Sequence, residues 1–270
     1  MTRSTAQKRS DFRALHQHGC FVIPNPWDIG SARLLQHLGF VALASTSAGY
    51  AWSQGRPDYQ VTRQDVLQHL TSLCAAVDLP VNADFENGFA AEPEAVADNV
   101  ALAIQTGVAG LSIEDRDGSS ARLFDLSYAV ERIRAARAAI DRSNEDVVLV
   151  ARTEGLLIDP TQVTPAIDKL VAFAAAGADC LFAPGVVHKA DISAMVRAIA
   201  PKPLNVVIFR PGLNVAELAE LGVRRISVGG ALARAAWGAV MSVAEQIKAG
   251  TFDGFANALP SKVLNELFSS

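Results

Sequence analysis

The sequence is poor in cysteine and histidine, and neither residue type is clustered. Cys20, Cys74 and Cys180 are the three cysteines among 270 residues, and no CxxC spacing occurs. Three widely separated cysteines indicate reduced, buried thiols in a cytoplasmic protein and exclude a disulfide framework. The five histidines are scattered along the chain, so the Cys and His groups typical of zinc sites are absent.

The chain also lacks an excess of basic residues and long apolar runs. Its 24 Lys and Arg are outnumbered by 28 Asp and Glu. Phosphate binding needs a basic surface, so no nucleic acid partner is expected, although single arginines still suit small anions. No apolar run reaches about 18 residues, so no transmembrane helix and no membrane partner are expected. No charged segment followed by an apolar one opens the chain, so no signal peptide is expected.

Half of the residues are apolar, and eight short apolar runs recur along the chain: 20–23, 41–45, 80–84, 110–114, 147–151, 180–183, 204–208 and 225–229. These runs do not alternate strictly, which is typical of strands covered on both faces. Four segments of helical period lie between them, at 91–106, 126–140, 161–175 and 191–199. Glycines follow several predicted helices, as the usual left-handed helix ends: Gly39, Gly107, Gly177 and Gly222.

Eight βα units predict an α/β protein with a (β/α)8 TIM-type barrel and not a doubly wound sheet. We expect one domain over residues 1–270, because no linker or low-complexity segment interrupts the pattern. A helical tail at about 240–270 contains Pro260 and an apolar stretch at 263–268. We expect this tail to pack on a neighbouring subunit.

Functional groups of such barrels lie at the carboxyl ends of the strands. Acidic residues follow the neighbouring strands 3 and 4: Asp84, Glu86, Glu114 and Asp115. Arg152 ends strand 5, and the hydroxyl-rich turn 45–49 ends strand 2. Carboxylates suit Mg²⁺, whereas an arginine and close N–H groups suit a carboxylate ligand. This pattern predicts a site for a small dianion with a developing enolate.

Each element also has a structural interpretation. Strand-end carboxylates commonly cap the following helix, and Arg152 would then serve as a structural ion-pair partner. The glycine pair 229–230 fits a phosphate site, although close packing of the last helix explains it slightly better. His188, in the loop after strand 6, is expected at the surface.

Eight segments carry a resemblance to a known family: 24–28 (PNPWD), 45–49 (STSAG), 55–58 (GRPD), 82–84 (NAD), 110–115 (GLSIED), 151–154 (ARTE), 178–185 (ADCLFAPG) and 225–229 (RISVG). In this order the chain resembles the isocitrate lyase/phosphoenolpyruvate mutase superfamily over nearly its whole length. The resemblance implies a (β/α)8 barrel whose last helix is swapped between subunits, in a homotetramer built as a dimer of dimers. It also implies Mg²⁺, with Mn²⁺ as a substitute, and an α-oxocarboxylate substrate.

The resemblance implies roles for named residues. Asp84 and Glu114 would hold Mg²⁺, mainly through water. The substrate carboxylate would lie on Thr46, Ser47 and Ala48, the latter two through their N–H groups.

Further roles concern the substrate. Arg152 would bind the carboxylate and oxo oxygens, and Asp58 matches an acidic residue near the substrate of the mutases. Tyr50 and Trp27 are expected to line the pocket. The proton-transfer residue stays open among Tyr50, Asp58, Glu86 and Glu154.

The chain departs from the family pattern at three places. The usual Asp-x-Asp strand end reads Asn82-Ala83-Asp84, so Asn82 would orient a metal-bound water while Glu86 replaces the lost charge. Residues 116–125 lack the lyases' Lys-Lys/Arg-Cys-Gly-His segment with its catalytic cysteine. Pro184 stands where the mutases place a histidine.

These features predict a Mg²⁺-dependent carbon–carbon lyase that acts on a small α-oxo or 2-hydroxy acid, oxaloacetate- or methylisocitrate-like, through an enolate. One alternative is a P–C bond mutase or hydrolase acting on phosphonopyruvate-like compounds. Another is a metabolite-binding barrel without turnover. A Schiff-base aldolase is discounted because the lysines in the second half of the barrel, at 169, 189 and 202, end no strand.

Overall fold

Eight parallel strands form a single sheet in the computed structural model, which describes residues 3–118 and 120–269. They are β1 (Phe21–Ile23), β2 (Leu43–Ala44), β3 (Val81–Asp84), β4 (Gly110–Glu114), β5 (Val148–Arg152), β6 (Cys180–Phe182), β7 (Leu204–Val207) and β8 (Arg225–Ser227). The strand order is β1-β8-β7-β6-β5-β4-β3-β2. The Ala44 amide donates to the Pro24 carbonyl at 3.0 Å and links the two edges. The predicted (β/α)8 barrel is confirmed.

The first helix precedes β1, and the other helices follow strands or end the chain. They are α1 (Thr5–Leu15), α2 (Ile29–His37), α3 (Ser47–Ser53), α4 (Arg63–Ala76), α5 (Pro93–Gln105), α6 (Leu126–Ser143), α7 (Gly155–Ile158), α8 (Val163–Ala175), α9 (Lys189–Ile199), α10 (Val215–Glu220), α11 (Ala231–Lys248) and α12 (Ser261–Phe268). A 3-10 helix, Asp253–Asn257, lies between the last two. The four predicted helices correspond to α5, α6, α8 and α9, with ends shifted by a few residues.

The outer core lies between the strands and this ring of helices. Residues 147–151, which contain most of β5, are fully buried because helices cover one face of the strand and barrel side chains cover the other. The helix-to-strand turns use glycine with positive φ, at 91° for Gly107, 103° for Gly177 and 88° for Gly222. The left-handed helix ends predicted at these glycines are confirmed.

Helix α1 closes the amino-terminal end of the barrel, which we call the barrel floor. Its Phe12 is fully buried and stacks edge-on against Phe21 of β1, 6.5 Å away. Above this apolar plug the barrel interior is polar, since Asn82, Ser112 and Asn205 are buried there. A cavity therefore extends from the carboxyl ends of the strands towards the floor.

The C-terminal segment buries little of its apolar surface. Only Ala233 of α11 is buried, and its exposed apolar side chains include Trp237, Val240 and Met241. Helix α12 packs back on α2, where the Arg33 guanidinium donates to the Phe268 carbonyl at 3.2 Å. Among the described residues, no helix combines the length and apolarity needed to cross a bilayer.

Candidate active site

The carboxyl ends of the strands surround a cavity of about 170 Å³. Seven of the predicted site residues line it: Thr46, Ser47, Ala48, Asp58, Asn82, Asp84 and Arg152. Glu86 and Glu114 are buried beside these residues and contribute charge to the cavity. The predicted position of the site at this end of the barrel agrees with this arrangement.

Arg152 joins three carboxylates at the end of β5. Its Nη1 lies 3.2 Å from Asp84 Oδ1, and its Nε lies 2.5 Å from Glu154 Oε1 and 3.4 Å from Glu114 Oε2. Burial alone would lower the pKa of this guanidinium, but the three carboxylates outweigh burial and raise it well above the usual value. Arg152 is therefore a fixed positive charge that ties the ends of β3, β4 and β5 together.

The turn between β2 and α3 directs hydrogen-bond donors at the Asp84 carboxylate. The Ser47 amide and the Ser47 hydroxyl both donate to Asp84 Oδ2, each at 2.9 Å. Thr46 is the N-cap of α3, and its Oγ1 accepts a hydrogen bond from the Gly49 amide at 3.1 Å. Ala48 lines the cavity beside them. The amino end of α3 thus presents N–H and hydroxyl groups to the protein's own Asp84 carboxylate, and binding of a substrate carboxylate there stays a prediction.

The carboxylates carry more negative charge than Arg152 balances. Glu86 is 6% exposed, and its Oε1 has no hydrogen-bond partner among the described residues. Burial, followed by the charges of Asp84 and Asp58, raises the pKa of Glu86 to about 8. Burial and Asp84 also raise the pKa of Asp58. A cation placed among these side chains would relieve this repulsion.

The donor set fits a hard divalent cation. Every candidate ligand is a carboxylate oxygen, the ligand type that Mg²⁺ prefers. Across 3–118 and 120–269, no three Asp, Glu, His or Cys side chains lie close enough to enclose an ion directly. This spacing suits an ion that keeps several waters between itself and the protein.

Tyr59 is a cavity residue that sequence reasoning missed. Its hydroxyl donates to Glu114 Oε1 at 2.8 Å, and the Arg116 guanidinium lies 4.4 Å from the ring centre. Burial and the neighbouring Glu114 raise the Tyr59 pKa, so the phenol stays protonated. The only signal was its place directly after Asp58 in the GRPDY segment. Spacing alone did not indicate a contact with Glu114, which lies on another strand.

Tyr50 and Trp27 do not reach the cavity. Both line a separate surface groove beside α2, α3 and α4. The Tyr50 ring stacks on His69 with centroids 4.0 Å apart, and its hydroxyl donates to the Asp65 carbonyl at 3.3 Å. The structure therefore does not bring these two predicted pocket residues to the other site residues.

Asn82 lies deeper in the barrel than Asp84. Its Oδ1 is 3.3 Å from Arg225 Nη1, and its Nδ2 donates to the Ala83 carbonyl. Asn82 thus contacts a floor residue, whereas Asp84 and Glu86 are the acidic pair of this strand end. Alternation places Asn82 and Asp84 on the same face of β3, and the strand rise of about 3.3 Å per residue separates their depths in the barrel.

Asp115 faces away from the cavity and fixes the end of β5. Its Oδ2 accepts from Thr153 Oγ1 at 2.8 Å and from Lys169 Nζ at 2.5 Å, while Oδ1 accepts from the Glu154 amide. The Lys169 side chain comes from α8. Asp115 therefore acts on the site through Glu154, which holds Arg152.

The loop after β4 is a short hairpin. Arg116 and Leu123 form an antiparallel bridge, and the Asp117 amide donates to the Arg122 carbonyl. Ser119, within the predicted loop 116–125, lies outside the described residues. After β6, Pro184 lines the cavity and His188 is exposed, as expected.

Comparison with known proteins identifies the family. The sequence model of the phosphoenolpyruvate phosphomutase family matches residues 12–248. The chain belongs to this family.

Relatives of this phosphomutase family member include enzymes with named reactions. The chain is 30% identical over 205 residues to an oxaloacetate decarboxylase of Paraburkholderia xenovorans, and the match covers 72% of this chain and 67% of the relative. A crystal structure of a proposed lyase/mutase from Burkholderia cenocepacia superposes with a TM-score of 0.95 at 45% identity, covering 98% of both chains. A 2,3-dimethylmalate lyase of the PEP mutase/isocitrate lyase superfamily gives 0.86 at 27% identity, covering 99% and 95%. The family thus includes both C–C lyases and mutases, and the predicted superfamily is confirmed.

Proposed function

We propose that this family member is a Mg²⁺-dependent lyase that cleaves a C–C bond of a small α-oxo or 2-hydroxy carboxylic acid through an enolate. One observation carries the proposal: Arg152 stands among Asp84, Glu114 and Glu154 at the cavity. A fixed cation beside a carboxylate cluster stabilises an oxyanion as it develops. The relatives with named lyase and decarboxylase reactions support the same chemistry.

The chain's own groups bind and orient the substrate. The Ala48 amide at the amino end of α3 would take its carboxylate, and the Ser47 amide would join it on exchanging its bond to Asp84 for one to the substrate, because helix N–H groups there lack backbone partners. Arg152 would contact the carboxylate and the oxo oxygen in a two-pronged arrangement. These two contacts hold the bond to be cleaved over the carboxylate cluster.

Asp84 and Glu114 would hold Mg²⁺ mainly through water, with Glu86 and Asp58 adding charge, and Mn²⁺ would substitute. When bound, the ion supplies Lewis-acid stabilisation of negative charge on the substrate oxygens. Tyr59 holds Glu114 through its hydroxyl and thereby fixes one wall of the cation site.

Oxaloacetate-like substrates are favoured over isocitrate-like ones. The short hairpin after β4 carries no cysteine, and among the described residues no cysteine lines the cavity. A reaction whose carbanion leaves as a stabilised enolate needs less acid–base machinery. P–C bond chemistry is the second candidate, because the family model is that of a phosphomutase. A binding barrel without turnover is the third.

We also propose a homo-oligomer, a dimer of dimers, in the cytoplasm. The exposed apolar side chains of α11 and the 3-10 helix support association, because contiguous apolar surface of this kind is uncommon on monomers. The three unpaired cysteines support the location.

The test is thermal unfolding with Mg²⁺ and oxalate, each alone and then together. Oxalate imitates a pyruvate enolate that chelates the ion. We expect a rise in Tm that needs both, because a ligand that binds only the folded state stabilises it. Absence of a joint effect would favour the binding barrel. Turnover of oxaloacetate and of phosphonopyruvate then separates C–C from P–C chemistry.

A further inference from the structure

The barrel floor holds a buried arginine that the proposed reaction does not use. Arg225 opens β8 and is 3% exposed. Its Nη1 lies 3.3 Å from Asn82 Oδ1 and 3.5 Å from His16 Nε2, and its guanidinium carbon lies 5.8 Å from the centre of the Phe12 ring. Its Nε has no hydrogen-bond partner among the described residues. The side chain lines the same cavity as Arg152.

The positive charge of Arg225 has no counter-charge beside it. Within 3–118 and 120–269 it forms no ion pair at 4.0 Å or less, whereas Arg152 forms three. Arg132 is also buried without a carboxylate, but its guanidinium donates to four backbone carbonyls. In the described part of the chain, Arg225 has no backbone carbonyl acceptor. A guanidinium cannot lose its proton in a protein, so this buried charge is uncompensated.

The groups around Arg225 are neutral. Burial, with the Arg225 charge, lowers the pKa of His16 to about 3. Burial raises the pKa of the Cys180 thiol to about 11. Asn82 presents a carboxamide where a carboxylate would have formed the ion pair. The carboxylate whose charge acts on the pKa of Arg225 is Asp84, which Ser47 and Arg152 already hold.

Other polar groups at the floor are available to a ligand. Asn205 is 1% exposed; its Nδ2 donates to Ser227 Oγ at 3.0 Å, and its Oδ1 has no partner among the described residues. If the Asn205 carboxamide is flipped by 180°, the Ser227 hydroxyl donates to its Oδ1, and its Nδ2 group becomes free to donate elsewhere. The Arg225 Nε and this Nδ2 then become two unused donors beside one positive charge.

We propose that Arg225, held by Asn82 Oδ1, and Asn205 form an anion site on the barrel floor for a small monoanionic group, a carboxylate or a halide. Such a group supplies the missing counter-charge and accepts the unused N–H donors. Two sources share this chemistry: a free anion from solution, or the second carboxylate of a dicarboxylic substrate. The first source needs no assumption about the reaction, whereas the second rests on the proposed function.

The first experiment uses metal-free protein in EDTA. Sodium formate is raised at constant ionic strength, balanced with a bulky sulfonate salt, and Tm is measured. We expect a rise of about 5 °C when formate reaches 100 times its dissociation constant. Arg225→Gln should abolish the rise and Arg225→Lys should retain part of it. Arg224→Gln is the matched control, since Arg224 donates to the Gln17 carbonyl outside the barrel and should keep the full rise.

The second experiment separates the two sources. With Mg²⁺ present, Arg225→Gln is compared with the native chain for oxalate binding and for the KM of oxaloacetate. An oxaloacetate KM raised at least tenfold with unchanged oxalate affinity assigns the site to the substrate's second carboxylate. A formate-induced rise in Tm that depends on Arg225, without this change in KM, assigns the site to a free anion.

Two results overturn the site. One is that Tm and KM are both independent of residue 225; the other is a formate effect lost in Arg152→Gln and kept in Arg225→Gln. If the variants do not fold, crystals of the native chain grown in sodium bromide replace them. An anomalous peak beside Arg225 then supports the floor site, and its absence there overturns the site.

Discussion

At the scale of single residues, the site combines several carboxylates with one arginine, and their charges do not balance. Arg152 compensates Asp84, Glu114 and Glu154, but the buried Glu86 Oε1 has no hydrogen-bond partner among the described residues. In the proposed function this arrangement would let the same atoms hold a cation and a substrate anion. Arg152 would attract the anion, and the surplus carboxylate charge would attract the cation.

Arg152→Lys tests whether the shape of the guanidinium matters beyond its charge. Lysine keeps the charge but offers one nitrogen where Arg152 uses Nη1 and Nε, so we expect it to lose less stability than Arg152→Met. It loses the planar fork, so turnover, measured as kcat/KM, should fall by about 10²-fold or more. Arg152→Met is the comparison, because it should lose activity and stability together. Activity that survives in Arg152→Lys would contradict two-pronged substrate binding.

Glu86 predicts a pH dependence of stability in the metal-free protein. Its folded-state pKa of about 8 exceeds the ordinary glutamate pKa of 4.5, so the folded chain binds more protons between these values. The free energy of unfolding should therefore fall as pH rises from about 4.5 to about 8, by a few kcal/mol. Urea unfolding in EDTA across this range measures the slope.

The matched variant is Glu86→Gln, which should flatten the slope in this pH window. Saturating Mg²⁺ should flatten it in the native chain as well, because the ion takes up the carboxylate charge. A slope that persists in Glu86→Gln would show that Asp58 or Glu114 causes it. Unchanged Mg²⁺ affinity in Glu86→Gln would contradict the predicted role of Glu86 at the metal site.

At the scale of elements, the sequence predicted the strands better than the directions of their side chains. The eight strands could be predicted from apolar runs and from the glycines that end the helices, since both are local sequence patterns. Local pattern does not reveal depth within a barrel. Asn82 was therefore predicted at the metal site but contacts Arg225 at the floor. Tyr59 was missed because its partner, Glu114, lies 55 residues away in the chain.

The end of β5 depends on a buried ion pair between Asp115 and Lys169. The carboxylate is fully buried and the ammonium group is 15% exposed. Lys169→Met should destabilise the fold by about 3–5 kcal/mol, because it leaves Asp115 charged and unpaired. Turnover should fall as well, since Asp115 positions Glu154 and through it Arg152. Thermal unfolding and kcat/KM of the same preparation measure both effects.

The control for this prediction is Lys189→Met. Lys189 pairs with Glu217 at 2.7 Å, but its side chain is 55% exposed. An exposed pair contributes about 0–1 kcal/mol, so this variant should remain close to the native chain. Equal losses in the two variants would mean that burial does not set the strength of the Asp115 pair.

At the scale of the whole molecule, the apolar surface is unevenly distributed. The barrel covers its core on all sides, whereas α11 leaves Trp237, Val240 and Met241 at 48%, 57% and 62% exposure. These three residues lie on one face, because residues three and four apart are neighbours on a helix. A helix with one unpartnered apolar face is stabilised when a second chain covers it.

This surface predicts that the protein is an oligomer whose contacts include α11. Met241→Glu places a charge in the centre of the apolar face and should shift the mass measured by light scattering after gel filtration to that of a smaller species. Ser242→Glu adds the same charge to another side of the helix and should leave the mass unchanged. The α11 face lies beside Arg56 and Pro57, next to the cavity residue Asp58. Dissociation should therefore also weaken Mg²⁺-dependent oxalate binding in Met241→Glu, whereas a monomeric native chain would contradict the predicted association.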